Sequence, residues 1–343
     1  MRHLRAARRP EPTIARLRRA LVIVAMIATG CANQSSSLPL KPLGDISLPG
    51  NNSRFDYASL DAQRGLLYVA HLGASEVVEI DVNAGRVVRT IPNVSQAHGT
   101  LVVGTLGRVF VTATGTNQVV AFDENTGAEI GRAPTGAYPD GLAYDPRRNA
   151  IWTTNETAGT ETVVDAETLQ PRGTVDLGGE VGNVSYDSTG DRMLVAVQGR
   201  NEMAVVDPAA MRVQRRVELA GCDHPHGLTV DPANGLAFVA CDQNAILATV
   251  DETTWRMVGT NRVGDDPDVL AYDAAARRLY VAAESGTVTV LDHRDSALVP
   301  IGSGHLADGA HVVAVDPNTH RSYYPVPEGA NGHPALLVRA ATG

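Results

Sequence analysis

Seven polar residues stand at nearly equal intervals along the chain: Asp56, His98, Asp140, Asn183, His226, Asp268 and His311. Six of the seven can ionise or coordinate a metal. Three imidazoles and three carboxylates drawn to one place would suit a divalent cation such as zinc, calcium or copper, and an ion so held acts as a Lewis acid. The same residue types also serve turns, where their side chains cap backbone groups and meet water. The spacing alone leaves both uses open.

The densest patch is Cys222-Asp-His224-Pro-His226 together with Cys241-Asp242. If the two stretches lie on paired strands, two chemistries compete. One is a disulfide between Cys222 and Cys241, which an exported chain forms on meeting oxidising conditions. The other is a thiolate–imidazole metal site suited to copper or zinc. A disulfide would leave His224, His226 and Asp242 for another use. No Gly-rich phosphate loop, Gly-x-Ser-x-Gly elbow, Cys-x-x-Cys or haem-attachment motif occurs, so no cofactor-binding residues and no catalytic residues are assigned.

The elements that must carry these residues follow from a repeat. Asp140-Gly-Leu-Ala-Tyr-Asp-Pro146 recurs as His226-Gly-Leu-Thr-Val-Asp-Pro232, as Asp268-Val-Leu-Ala-Tyr-Asp273 and as His311-Val-Val-Ala-Val-Asp-Pro317, with weaker copies beginning near Asp56, His98 and Asn183. The closing position falls at 61, 103, 145, 187, 231, 273 and 316, in steps of 42 to 44. A second apolar run follows each copy, as in Leu67-Tyr-Val-Ala70 or Ala237-Phe-Val-Ala240. A third run ends in Asp, and a more polar fourth comes after it. Short β-branched and aromatic runs divided by Gly, Asn and Asp-Pro predict four antiparallel strands per repeat. Four strands in each of seven repeats predict an all-β, seven-bladed propeller over residues 40–340. The seventh repeat ends before its fourth strand, and Pro42-Leu-Gly-Asp-Ile-Ser-Leu48 supplies the missing one, so the N-terminal strand closes the last blade.

In a propeller the innermost strands all start on one face of the disc. The seven openers therefore face the mouth of the central channel, and residues leaving the second strands (His71, Asn155, Gln198, Cys241, Asp242, Glu284 and Glu328) are expected on the same face. Asp-Pro at 145, 231 and 316 marks the hairpin turns on the opposite face, where Asp is structural.

Residues 1–30 hold seven arginines and one acid, which leaves 22 basic against 37 acidic residues, a net charge of −15, in the remainder. That surface repels phosphate backbones and argues against nucleic acid as a partner. The arginines run into the apolar stretch Ala20–Ala28, too short to span a bilayer and patterned as a secretory signal. Ala28-Thr-Gly-Cys31 resembles the bacterial lipobox. Residues 1–31 are thus expected to be a signal peptide with Cys31 as the lipidated residue, and 32–39 a flexible tether. The expected location is periplasmic or cell-surface, with a lipid anchor as the only membrane attachment.

The Tyr68-Val-Ala-His71 and Tyr280-Val-Ala282 runs, with Val-x-Val-x-Asp downstream, resemble the YVTN/YncE-like bacterial propeller repeats over residues 40–340. The resemblance implies the fold and leaves function open, because that fold hosts binding proteins, lactonases, lyases and redox modules. The leading expectation is an envelope lipoprotein, acting as a monomer, that binds a small molecule, a metal or an envelope protein at its His/Asp-lined mouth. A metal-dependent hydrolase or lyase, similar to lactonases and streptogramin lyases, is the alternative at the same mouth. A redox-associated subunit is a third class, which the missing haem motif counts against.

Overall fold

The computed structural model describes residues 38–295 and 297–342. The expected signal segment, Cys31 and residues 32–37 lie outside them. The described chain folds into seven four-stranded antiparallel sheets, with helix confined to five three-residue 3-10 turns. The molecule is all-β, a seven-bladed propeller.

Blade three shows how the sequence builds each sheet. Its strands are Pro139–Asp145, Ala150–Asn155, Thr160–Asp165 and Pro171–Asp176, paired in that order. Every residue of Ala150–Asn155 is buried, because this second strand packs against the adjacent blade on each face. The outermost strand buries only Val175 and so tolerates Pro, Arg and Asp. The core is divided into seven clusters, each shared by two consecutive blades. Trp152 and Val163 of blade three meet Met193 and Val195 of blade four. The ring closes where Tyr323 and Val338 of blade seven meet Leu67 and Val69 of blade one. No blade buries its own faces, so the repeats depend on one another.

Closure is a strand exchange. Leu40–Ser47 pairs with Ala335–Ala341, from Leu40 opposite Ala341 to Ser47 opposite Ala335. Asp45 accepts a 2.8 Å hydrogen bond from Arg339, 294 residues away. Docking starts earlier than a tether ending at residue 39 implies: Pro39 is buried and accepts a 2.8 Å hydrogen bond from the Thr342 amide.

Candidate functional site

The mouth is built from three positions that recur in the blades. The first is the ring of openers. In blades two, three, five and six the pairing of the first two strands slips around the opener; Ala97 pairs with Ala113, for example, and then Thr100 with Val111. This bulge frees His98, Asp140, His226 and Asp268 from the ladder and turns their side chains into the mouth. Glycine follows the opener where the next blade comes closest: a Cβ on Gly99 or Gly227 would land on the carbonyl oxygen of Asp140 or Asp268. Thr112 fastens the same junction, accepting from the Gly99 amide at 2.6 Å and donating to the Asp140 carbonyl at 2.9 Å.

The second position lies two residues before the opener and takes a left-handed backbone in Gln96, Tyr138, His224 and Asp266, with φ from 49° to 60°. The third directly follows the second strand and holds Thr114, Glu156, Gln198, Asp242 and Glu284. Backbone bonds couple the two positions: the amides of Glu156, Asp242 and Glu284 donate to the carbonyls of Tyr138, His224 and Asp266 at 2.8–3.1 Å.

These residues surround a cavity of about 310 Å³ whose wall carries Asp56, Asp140, Glu156, Asp242, Asp266, Asp268 and Glu284 against Arg54, His98, His224 and His226. Arg54 bridges three of the acids, with Nε 2.9 Å from Asp56, Nη1 2.5 Å from Glu284 and Nη2 3.8 Å from Asp268. His98 Nε2 lies 3.3 Å from Asp56 and 3.6 Å from Asp140, and its Nδ1 is 3.3 Å from the Thr114 hydroxyl. Because that hydroxyl donates to the Pro139 carbonyl, it is free to accept from Nδ1–H. Burial works against a charge on His98, but the Asp56 and Asp140 carboxylates outweigh it and hold the pKa up at about 9. His226 is pulled the same way, to about 10, by Asp268 at 3.2 Å and by Asp140 in spite of its burial. The Gln198 amide touches His226 Nδ1 at 2.5 Å while its Oε1 has no hydrogen bond. With His226 protonated, that oxygen belongs at the contact instead of the nitrogen.

The acids divide. Burial alone would raise Asp56, yet His98 and Arg54 pull it well below the usual carboxylate range. Asp140 is raised, by burial first and then by Asp56 and Asp268. Burial and Asp140 push Glu156 up to about 7. Burial, Asp242 and Glu284 raise Asp266. Negative charge therefore exceeds what the cations of the mouth neutralise.

The mouth has a floor. Tyr57 accepts from Asn183 Nδ2 at 2.6 Å and contacts His226 Nε2 at 3.3 Å, closing the axis. Tyr57 lines both the mouth and a second cavity of about 390 Å³ in the channel below, where Asn183 sits among Thr100, Ser185 and Leu228. His311 lies beside Asp268 and Glu284, with Nδ1 3.4 Å from Glu284 and Nε2 4.0 Å from Asp268.

Of the ring expected from the sequence, Asp56, His98, Asp140, His226 and Asp268 share the cavity wall, His311 packs beside it, and Asn183 lies beneath the floor. His71 is not part of the mouth. It is fully buried, stacked on Phe55 at 4.1 Å between ring centroids, and bonded to Ser53 and Glu76. The reason is parity. Successive strand residues face opposite sides, and the mouth-facing residue is the one after the strand end, so His71, Asn155 and Cys241 point away from the mouth. Cys222 and Cys241 are joined as a disulfide, so neither sulfur is a thiolate ligand. Paired carboxylates favour the protonated forms of His98 and His226. Arg54, Tyr57, Tyr138, Glu156 and Asp266 were not singled out from the sequence. Aligning the repeats two residues before each opener, and at the residue after each second strand, finds all of them but Tyr57.

Fold and mouth together define the class: a closed seven-bladed propeller with an acidic, imidazole-bearing mouth, consistent with binding a ligand or a protein. No protein-family model and no curated protein matches the sequence. Solved structures do. A chain of Kuenenia stuttgartiensis hydrazine synthase superposes with a TM-score of 0.72 at 14% identity, covering 84% of this chain and 96% of that one. A chain of the mitotic checkpoint complex gives 0.74 at 12% identity, covering 96% and 100%. At such identities the likeness shows the fold alone.

Proposed function

We propose that this protein is an exported, lipid-anchored propeller of the YVTN/YncE-like type that binds a small organic cation at its mouth, on the periplasmic or outer surface of the cell. The observation that carries the reading is the convergence of seven carboxylates on one cavity of about 310 Å³ in which, among the described residues, Arg54 is the single arginine and lysine is missing. The volume suits a small molecule. The raised Asp140, Glu156 and Asp266 carboxyls support it, because an entering positive charge relieves their mutual repulsion. Export and anchoring rest on the arginine-rich start, the apolar run and Ala28-Thr-Gly-Cys31.

Calorimetry in chelator-containing buffer tests the mouth with amines and guanidines against carboxylates of equal size. The cations are expected to bind, at least tenfold more weakly in Glu156→Gln. Because Glu156 titrates near 7 and only its ionised form attracts a cation, affinity rises from pH 6 to pH 8 with proton release. Carboxylates binding in preference to amines would remove the reading. Mass spectrometry of the mature amino terminus tests the anchor, which predicts a diacylglyceryl group on Cys31 and its loss in Cys31→Ser.

A further inference from the structure

We propose that Asp268, Glu284 and His311 form a seat for one divalent cation of the zinc class, and that Arg54 competes with the metal for it. Each residue offers one ligand atom, and the three atoms lie within 4.8 Å of one another. His311 is the second, independent sign. It is 2% exposed, yet neither ring nitrogen makes a hydrogen bond. Buried polar groups are ordinarily paired, so an imidazole left open on both sides and aimed between two carboxylates calls for a partner. His98 and His226, by contrast, contact hydrogen-bonding neighbours through both ring nitrogens.

The donor set selects the ion. One imidazole with two carboxylates suits zinc, whereas calcium and magnesium take oxygen donors almost throughout. Ligand atoms on a tetrahedral zinc stand about 3.3 Å apart. One nitrogen of His311 serves the ion: Nδ1 stands 3.4 Å from Glu284, close to that spacing already. Asp268, whose 4.0 Å contact is to the other nitrogen, Nε2, has to turn inward from within the 4.8 Å that spans the three ligand atoms. Three protein ligands leave a fourth position toward the cavity.

Arg54 is the resident cation of the same carboxylates, through Glu284 at 2.5 Å and Asp268 at 3.8 Å. Its side chain is 41% exposed against 3% for His311, and its Nε is held separately by Asp56. The guanidinium can therefore leave Glu284 and Asp268 while keeping Asp56. The seat deepens the reading of the mouth as a cation site and rests on it.

Zinc chloride titrated into chelator-stripped protein, with bound metal counted by elemental analysis, tests the seat. One zinc per chain is expected. Affinity falls at least tenfold in His311→Gln and in Glu284→Gln, rises in Arg54→Met, and is unchanged in the exposed His305→Gln. Circular dichroism identifies any variant that misfolds, and either ligand variant serves if the other does. Absence of zinc binding, equal binding by His311→Gln, or no gain in Arg54→Met overturns the seat. Lost zinc binding with retained amine binding in chelator removes the seat and leaves the mouth reading. Zinc bound without any amine removes the organic ligand and keeps the metal.

Discussion

At the end of the inner strands away from the mouth, Asp61, Asp145, Asp187, Asp231, Asp273 and Asp316 are each no more than 9% exposed, much like Asp56, Asp140 and Asp268 at the mouth. Their surroundings differ in how far each carboxylate serves its own turn. Asp145 accepts from the amides of Arg147 and Arg148 at 3.0 and 3.1 Å, and Asp187 from those of Thr189 and Gly190 at 2.9 Å. These carboxylates finish the hairpin turn of their own blade. At the mouth the main partners are ionised side chains: Arg54 and His98 for Asp56, His98 for Asp140, Arg54 and His226 for Asp268. Asp140 Oδ1, Asp242 Oδ1 and both His311 nitrogens make no hydrogen bond. The same residue type thus completes local backbone structure at one end and holds unspent interaction capacity at the other. Such capacity costs stability, and sites of function are where folds carry that cost.

The largest expected effect attacks the crowded side of the mouth. Cys222 and Cys241 close a loop of 19 residues in sequence separation, and replacing both with Ser should cost about 3 kcal/mol in urea unfolding. A change below roughly 1 kcal/mol would mean that the strand pairing already holds this segment without the bond.

The next pair addresses the contrast directly. Asp145→Ala strands two amides and leaves the Arg148 guanidinium with Asp191 alone, and should cost roughly 2 kcal/mol. Asp140→Asn, equally buried, should change stability by less than about 0.5 kcal/mol or raise it, because it removes a carboxyl already pushed up by burial, with Asp56 and Asp268 adding to it. Equal losses in the two variants would abolish the distinction between the ends.

A pH series sharpens it further. The folded pKa of His98, near 9, lies above the unfolded value of about 6.5. Its pairing with Asp56 and Asp140 therefore stabilises fully below about pH 6.5 and is lost as pH rises through 9. Thermal unfolding from pH 6 to 10 should show a decline, on the order of 1–2 kcal/mol smaller in His98→Gln. An identical slope in the variant would mean that the imidazole is not paired as described.

Much of this was legible in one dimension. The 42-residue step, the Asp-Pro turns and the displaced Pro42–Leu48 strand made the blade count, the closure and the structural role of Asp145, Asp231 and Asp316 readable, since each depends on local pattern. The openers were readable for the same reason. His71 was misplaced because one residue of register separates the mouth from the blade interface. Tyr57 was missed because nothing in blade one marks a side chain that will bond to Asn183 and His226, 126 and 169 residues away.

The sequence by itself determined a ring of seven mutually dependent sheets, because a repeat that cannot bury its own faces must stack on copies of itself until the ends meet. Only the tertiary structure decided which charges share the axis. Whether an imidazole there is a cation, a floor contact or an open ligand depends on distances of a few ångströms between blades, and those distances are set by bulges and packing that residue order does not display.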